Sequence, residues 1–436
     1  MGNGQPVHFG SARLRLTSYH GLPCSHGRLG PQPSHHNGLS PHGTTLSRRV
    51  ALMSKRLPTV WDADAHTIAK IAILKGYLNA WFRILAISRP GQTILYVDGF
   101  AGPGFYKNHP EGSPLAALKT ADGTIHSLGQ KFTAARLHCA FIEVDPERYT
   151  CLVETVSPYR SNPRIGITTI NAAFADGIER VREVAPGPFR GEGPLLIFAD
   201  PFGGTGIPFQ AFARCMQGET AELLINLDAD GIGRIFSADN NNRESQLTEL
   251  FGDDSWRSAV NAWGDLKKLS VQILDLYKRR LRTISGVRFI WSFAMRGSKD
   301  TISYHLVFAT KHPLGMEKMK EAMRAIDESR TYSFSDAHVD QQPLFGNDNT
   351  EAYAEALFKE YAGKTISMTV ANEFALNETP FVNAKAMLSM LEAKGRLKVQ
   401  LHPNESRKAG SFPEIKVKAV EFGRFDTSGE QAEFEI

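Results

Sequence analysis

Residues 94–104 read Ile-Leu-Tyr-Val-Asp-Gly-Phe-Ala-Gly-Pro-Gly, and this stretch limits the fold more than any other in the chain. Four apolar residues are too few for a helix, and the glycines that follow mark a buried parallel strand ending in a tight backbone turn. In open α/β sheets ligands bind in the crevice beyond the strand carboxyl ends, where glycine lets the backbone approach them without a Cβ between. No Lys-Ser or Lys-Thr follows these glycines, so the turn is not a phosphate loop. Lys107 stands where a dinucleotide fingerprint needs a third small residue. An acidic strand tip, Asp98, before the turn Gly99, Phe100, Gly102 and Gly104 suits a ligand with a cationic head and no pyrophosphate, such as S-adenosylmethionine. A nicotinamide or nucleotide site is the alternative that the turn alone leaves open.

The 436 residues suffice for two or three domains, and 42% apolar with 22% charged residues is ordinary for a globular protein. No run of eighteen apolar residues occurs, so no membrane span is expected. Residues 1–56 hold seven Lys/Arg and no acid, so the net charge of +4 falls to −3 once those seven are set aside. Any basic surface on the folded part must therefore be local. Residues 1–52 are rich in Gly, Pro, Ser and His and lack apolar periodicity, which reads as a disordered extension; Met53 is an alternative start, and an organelle transit peptide a further alternative. Four cysteines without a Cys-x-x-Cys pair point to a reducing, cytoplasmic setting and no structural metal.

In chain order, apolar spacing predicts an amphipathic helix over 66–87, with His66, Lys70 and Lys75 either solvated or facing the cofactor or a polyanionic substrate. Ser113 and Pro114 read as the cap and first residue of a helix over 115–120. A second strand, 137–142, ends at Glu143, the choice for the ribose hydroxyls of an adenosine cofactor, with Asp145 as second candidate and as cap of the next helix. A third strand, 165–170, leads to Asp176, which either accepts from an adenine amino group or caps a helix. The fourth, 194–200, runs into Asp200-Pro201-Phe202-Gly203.

In methyltransferases that act on exocyclic amines, an Asp or Asn before Pro and an aromatic residue stands at this strand end. It accepts the target N–H bonds while the ring stacks on the base. Asp200, Pro201 and Phe202 are the corresponding catalytic candidates, although Phe202 replaces the usual second proline and Gly203 the usual aromatic. An Asp-Pro turn after a buried strand is the plainer alternative. A fifth strand over 222–227, a helical insertion over 229–285 with a basic patch at Lys278, Arg279, Arg280 and Arg282, and a hairpin over 287–310 complete a seven-stranded order. Substrate contact and a solvated helix face are equal readings of that patch. The domain so defined is 57–328, followed by a linker at 329–349. Three short helices and a hairpin over 350–436 form a winged helix-turn-helix pattern. Lys385, Arg396, Arg407 and Lys408 are its candidate nucleic-acid contacts, with Lys394, Lys416 and Lys418 nearby; a protein-interaction module is the alternative.

Several motifs in fixed order, Asp98-Gly-Phe-Ala-Gly-Pro-Gly104, Glu111-Gly-Ser-Pro114, Phe141-Ile-Glu-Val-Asp-Pro146, Asp200-Pro-Phe-Gly203 with Gly206-Ile-Pro-Phe209, Phe308-Ala-Thr-Lys-His-Pro313 and Glu378-Thr-Pro-Phe381, resemble the bacterial three-Cys-motif partner proteins over residues 66–420. The resemblance implies a Rossmann-like class I S-adenosylmethionine-dependent methyltransferase domain with a C-terminal winged helix, and a partner bearing a cysteine motif of radical-enzyme type. It does not give a substrate. Two readings result: N-methylation of a nucleobase in a nucleic acid, or a non-catalytic adaptor that binds nucleic acid or the partner.

Overall fold

The run after Gln92 forms β1 (Thr93–Asp98), fully buried from Ile94 onward, and it lies at the centre of the main sheet. The computed structural model describes residues 58–201, 206–237, 242–261, 269–297, 302–327, 333–335 and 349–424, all within the compact unit Leu57–Ile436. Residues 1–56, Phe202 and Gly203 of the tetrad, the hairpin turn at 298–300 and most of the expected linker lie outside the described residues.

Four parallel partners extend β1: β2 (Arg136–Glu143), β3 (Ile165–Asn171), β4 (Leu195–Ala199) and β5 (Ala221–Leu227). The hairpin strands β6 (Phe289–Arg296) and β7 (Ile302–Thr310) follow, and β7 inserts antiparallel between β5 and β6. The resulting order 3-2-1-4-5-7-6 is the Rossmann-like order of class I methyltransferases. One strand was not foreseen. β8 (Ser333–Ser335), from within the expected linker, adds to the edge of β6 and makes the sheet eight-stranded.

Helices cover both faces, as a mostly parallel sheet requires. They are α1 (Ala65–Ser88), α2 (Ser113–Leu128), α3 (Pro146–Val156), α4 (Phe174–Val184), α5 (Pro186–Phe189), α6 (Phe209–Cys215), α7 (Ala229–Ser237), α8 (Arg243–Phe251), α9 (Ser255–Asn261), α10 (Leu269–Arg282) and α11 (Pro313–Ile326). The expected insertion is helical, from α7 to α10. One core joins α1, α2, α3 and α11 to the sheet, and the other joins α4 to α8 and α10. α1 is long and apolar enough to cross a membrane, yet its stripe from His66 through Leu74, Tyr77 and Phe82 to Ala86 is buried inside the first core. α2 starts one residue earlier than expected: Gly112 takes the cap position, Ser113 opens the first turn, and the helix runs on to Leu128.

The C-terminal region contains α12 (Thr350–Tyr361), β9 (Thr365–Ile366), α13 (Met368–Glu378), α14 (Lys385–Ala393), β10 (Leu397–Leu401) and β11 (Val417–Phe422), with an antiparallel sheet in the order β10-β11-β9 and its own core. α13 fastens this region to the large sheet. Leu376 enters the α1-side core, and the Asn377 side chain takes the place of a neighbouring strand for β6. Its amide donates to the Arg288 carbonyl at 3.0 Å, and its oxygen accepts from the Ile290 N–H at 3.1 Å.

Candidate active site

The strand order places a switch point at β1, since the chain leaves it toward β2 and returns on its other side with β4. Register aligns Asp98 with Phe141 on β2 and with Phe198 on β4, so Glu143 and Asp200 each stand two residues beyond Asp98 on either side. Three carboxylates therefore converge beneath the glycine turn. Two of the turn's glycines are needed for separate reasons. A Cβ on Gly99 would lie 2.5 Å from the Phe174 ring, and Gly104 has φ +93 with Thr155 2.8 Å from where a Cβ would be.

Asp98 is fully buried. Its Oδ1 accepts from the Phe100 N–H at 3.2 Å and the Ser113 hydroxyl is a second donor, while Oδ2 has no hydrogen-bond partner among the described residues. Burial, reinforced by the Asp200 and Glu143 charges, pushes its pKa up to about 7 against those two hydrogen bonds. Glu143 is nearly buried, with Oε2 accepting from the Gly102 N–H at 2.9 Å and Oε1 from the Asp145 N–H at 2.8 Å. Burial again raises its pKa, opposed by these two N–H groups. Asp145 caps α3, its Oδ1 accepting from the Glu147 and Arg148 N–H groups. Asp176 lies exposed in the first turn of α4, whose cap is Ala173, so it does not cap that helix.

Asp200 meets groups that sequence spacing did not bring to it. The Lys70 ammonium, from α1, donates to Oδ1 at 2.8 Å and to Oδ2 at 2.6 Å, and the Asn226 amide, from β5, donates to Oδ1 at 2.7 Å. Lys70 also stands 5.1 Å from the Tyr304 ring centroid. Of the three basic residues noted on α1, Lys70 alone lines this cleft. His66 shares a 2.8 Å hydrogen bond with the Arg296 carbonyl, and Lys75 pairs with Glu111.

Above these groups lies a cleft of about 370 Å³. Of the expected residues, Phe100, Gly102, Gly104, Asp200 and Pro201 line it, whereas Asp98 and Glu143 support its floor from beneath and Asp145 and Asp176 stand outside. Its walls include Trp61, Phe105, Tyr106 and Tyr304, none of them singled out by the sequence. Trp61 belongs to a segment laid across the glycine turn. Its carbonyl accepts from the Lys107 N–H at 2.9 Å, its ring meets Tyr106 edge-on at 5.6 Å, and the neighbouring Ala63 exchanges two hydrogen bonds with Asn108. Lys70 did carry a sequence signal: it lies four residues after His66 and four before Leu74, within the buried stripe.

The C-terminal basic residues fare differently from expectation. Arg407 is held by Glu392, and Arg396 by Glu355 with its guanidinium 3.7 Å from the Phe358 ring centroid, so both serve their own domain. Lys394 pairs with Glu351 at 2.6 Å and Lys416 with Glu405 at 3.1 Å. Lys385 and Lys408 are exposed.

No family model matches the chain, and no curated protein matches it by sequence. Among solved structures it is similar to an O-methyltransferase from Bacillus cereus in complex with SAH (11% identity over 54% of this chain and 80% of that one, TM-score 0.30). It is also similar to precorrin-6y C5,15-methyltransferase from Geobacter metallireducens (8%, 54% and 87%, TM-score 0.25) and to WbdD (12%, 57% and 41%, TM-score 0.29). The strand order, not these scores, establishes the fold.

Proposed function

We propose that the chain is an S-adenosylmethionine-dependent methyltransferase acting on an exocyclic amine of a nucleobase. The observation that carries the reading is the Asp200 carboxylate, clamped at a strand tip on the floor of an aromatic-lined cleft whose other side is a glycine turn. The cofactor reading is supported by the chemistry of the floor. Asp98 Oδ2 is a buried acceptor without a partner, and its hydrogen-bonding neighbours Phe100 and Ser113 line the cleft, which fits an ammonium group. Each Glu143 oxygen accepts one N–H and keeps a second lone pair, which fits a pair of ribose hydroxyls.

When bound, S-adenosylmethionine supplies an electrophilic methyl group, whose bond to sulfur breaks with the electron pair left on sulfur. The chain's own part is to orient the acceptor. Asp200 accepts an N–H of the target amine, turns its nitrogen lone pair toward the glycine turn and stands on the N–H whose proton leaves to solvent once the nitrogen is methylated, while Trp61, Phe100, Tyr106 and Tyr304 flank a flat base. We take the C-terminal region to be a winged helix that presents the nucleic acid, with Lys385 and Lys408 as its remaining basic contacts.

The test is Asp200→Ala in a labelled-methyl assay with DNA and RNA oligonucleotides. Turnover is expected to be lost while S-adenosylhomocysteine affinity stays within about threefold, the pattern of an interaction made only with the reacting group. Full activity in the variant would remove the mechanism. The second reading, an adaptor for nucleic acid or for a cysteine-motif partner, is favoured by one observation: Lys70 already engages both Asp200 oxygens. Cofactor-independent capture of that partner, with no methyl transfer, would support it.

A further inference from the structure

An ionised carboxylate offers about four lone-pair directions, and donors to Asp200 can be counted against them. Oδ1 accepts from Lys70 and Asn226, and Oδ2 from Lys70. Among the described residues one direction remains, on Oδ2, and the Asp200 side chain is 23% exposed while Lys70 is 10% exposed. Both residues line the cleft.

We propose that Lys70 is a positioning residue for methyl transfer: with Asn226 it fixes the Asp200 carboxylate so that a single acceptor direction is left for a substrate N–H. The inference rests on the methyltransferase reading above. The geometry favours a role beyond packing. A lysine stem alone would satisfy α1 by extending to solvent, as Lys75 does, but Lys70 is turned into the buried stripe with its ammonium on one carboxylate and beside the Tyr304 ring. Its charge also matters for the site. Asp98 and Tyr96 from β1, Tyr106 from the turn, Asp62 and Asp64 before α1, Asp228 beyond β5 and Tyr304 from β7 are other titratable groups around the site, and none of them can supply a positive charge. Arg234 at the cleft wall is 77% exposed and reaches toward Asp228. Lys70 is thus the cation in direct contact with the Asp200 carboxylate.

The experiment compares the full chain with Lys70→Gln and Lys70→Arg in the oligonucleotide assay, with S-adenosylhomocysteine affinity measured by calorimetry. Lys70→Gln should lower kcat by about 10- to 100-fold with cofactor affinity within about threefold, and Lys70→Arg should restore part of the loss. In an Asp200→Asn background, which keeps an acceptor oxygen, Lys70→Gln should add little. If the Gln variant does not fold, Lys70→Met repeats the test with an apolar stem of similar length. Wild-type kinetics in the folded variant would overturn the inference, as would an equal loss in the Asp200→Asn background or a loss that follows cofactor affinity. A wild type that binds S-adenosylhomocysteine but methylates no oligonucleotide would overturn the base-amine reading and this inference with it.

Discussion

Asp98 combines complete burial, an unpartnered oxygen and two carboxylate neighbours, so its protonation is tied to whatever cation the cleft holds. The sign follows from its raised pKa. A carboxyl lifted from its ordinary range to about 7 favours the folded state most at low pH, and that contribution is lost as pH rises from the unfolded pKa toward 7. Binding an ammonium group reverses the preference, because the ionised carboxylate is then the better partner. Affinity for S-adenosylhomocysteine should therefore rise between about pH 6 and about pH 8, with proton release, and Asp98→Asn should flatten the dependence. Calorimetry in buffers of different ionisation enthalpy reads both; an unchanged slope in Asp98→Asn would assign the titration elsewhere. At this scale Asp98, Glu143 and Asp200 were legible because each ends an apolar run, and strand tips define the site in this fold. Lys70, Asn226 and Tyr304 were not, since each is one polar or aromatic residue in a distant element, and Lys70 reaches Asp200 across 130 positions.

Elements explain what the pattern of apolar residues could and could not deliver. The five parallel strands and the hairpin were predicted from short β-branched runs between turns, and their boundaries held to within two residues. β8 escaped because three residues in a polar stretch carry no periodicity; only the open edge of β6 recruits them. The joining of α13 to the large sheet was equally invisible. Lys320, fully buried on α11, donates to the carbonyls of Ala375, Thr379 and Phe381 at the end of α13, at 3.0, 2.5 and 3.1 Å, with its ammonium 4.1 Å from the Trp291 ring centroid. Those carbonyls are groups a helix end leaves unsatisfied, and a cation there also meets the negative end of the helix dipole. Burial pulls the Lys320 pKa well below the usual lysine range, opposed by the Glu378 charge. Lys320→Met should remove the donor these carbonyls share, leaving Ala375 only its bond from the Thr379 hydroxyl, and cost about 2–4 kcal/mol in urea unfolding. A change below about 0.5 kcal/mol would show that the contact is not structural.

As a whole, the molecule joins the large sheet to the C-terminal region through side-chain contacts at α13. Arg288 with Glu373 and Arg282 with Glu378 reinforce the Lys320 and Asn377 contacts. Most of the basic charge near the hairpin β10–β11 is spent on internal ion pairs, which a sequence count of Lys and Arg could not reveal because the acids Glu351, Glu355, Glu392 and Glu405 come from other segments. The cofactor cleft is probed by titrating the full chain with S-adenosylhomocysteine, beside Glu143→Ala shown to be folded by its thermal transition. A Kd on the order of micromolar is expected, weakened at least about tenfold in the variant. No binding by the folded wild type, or equal binding by both proteins, would contradict the cofactor reading.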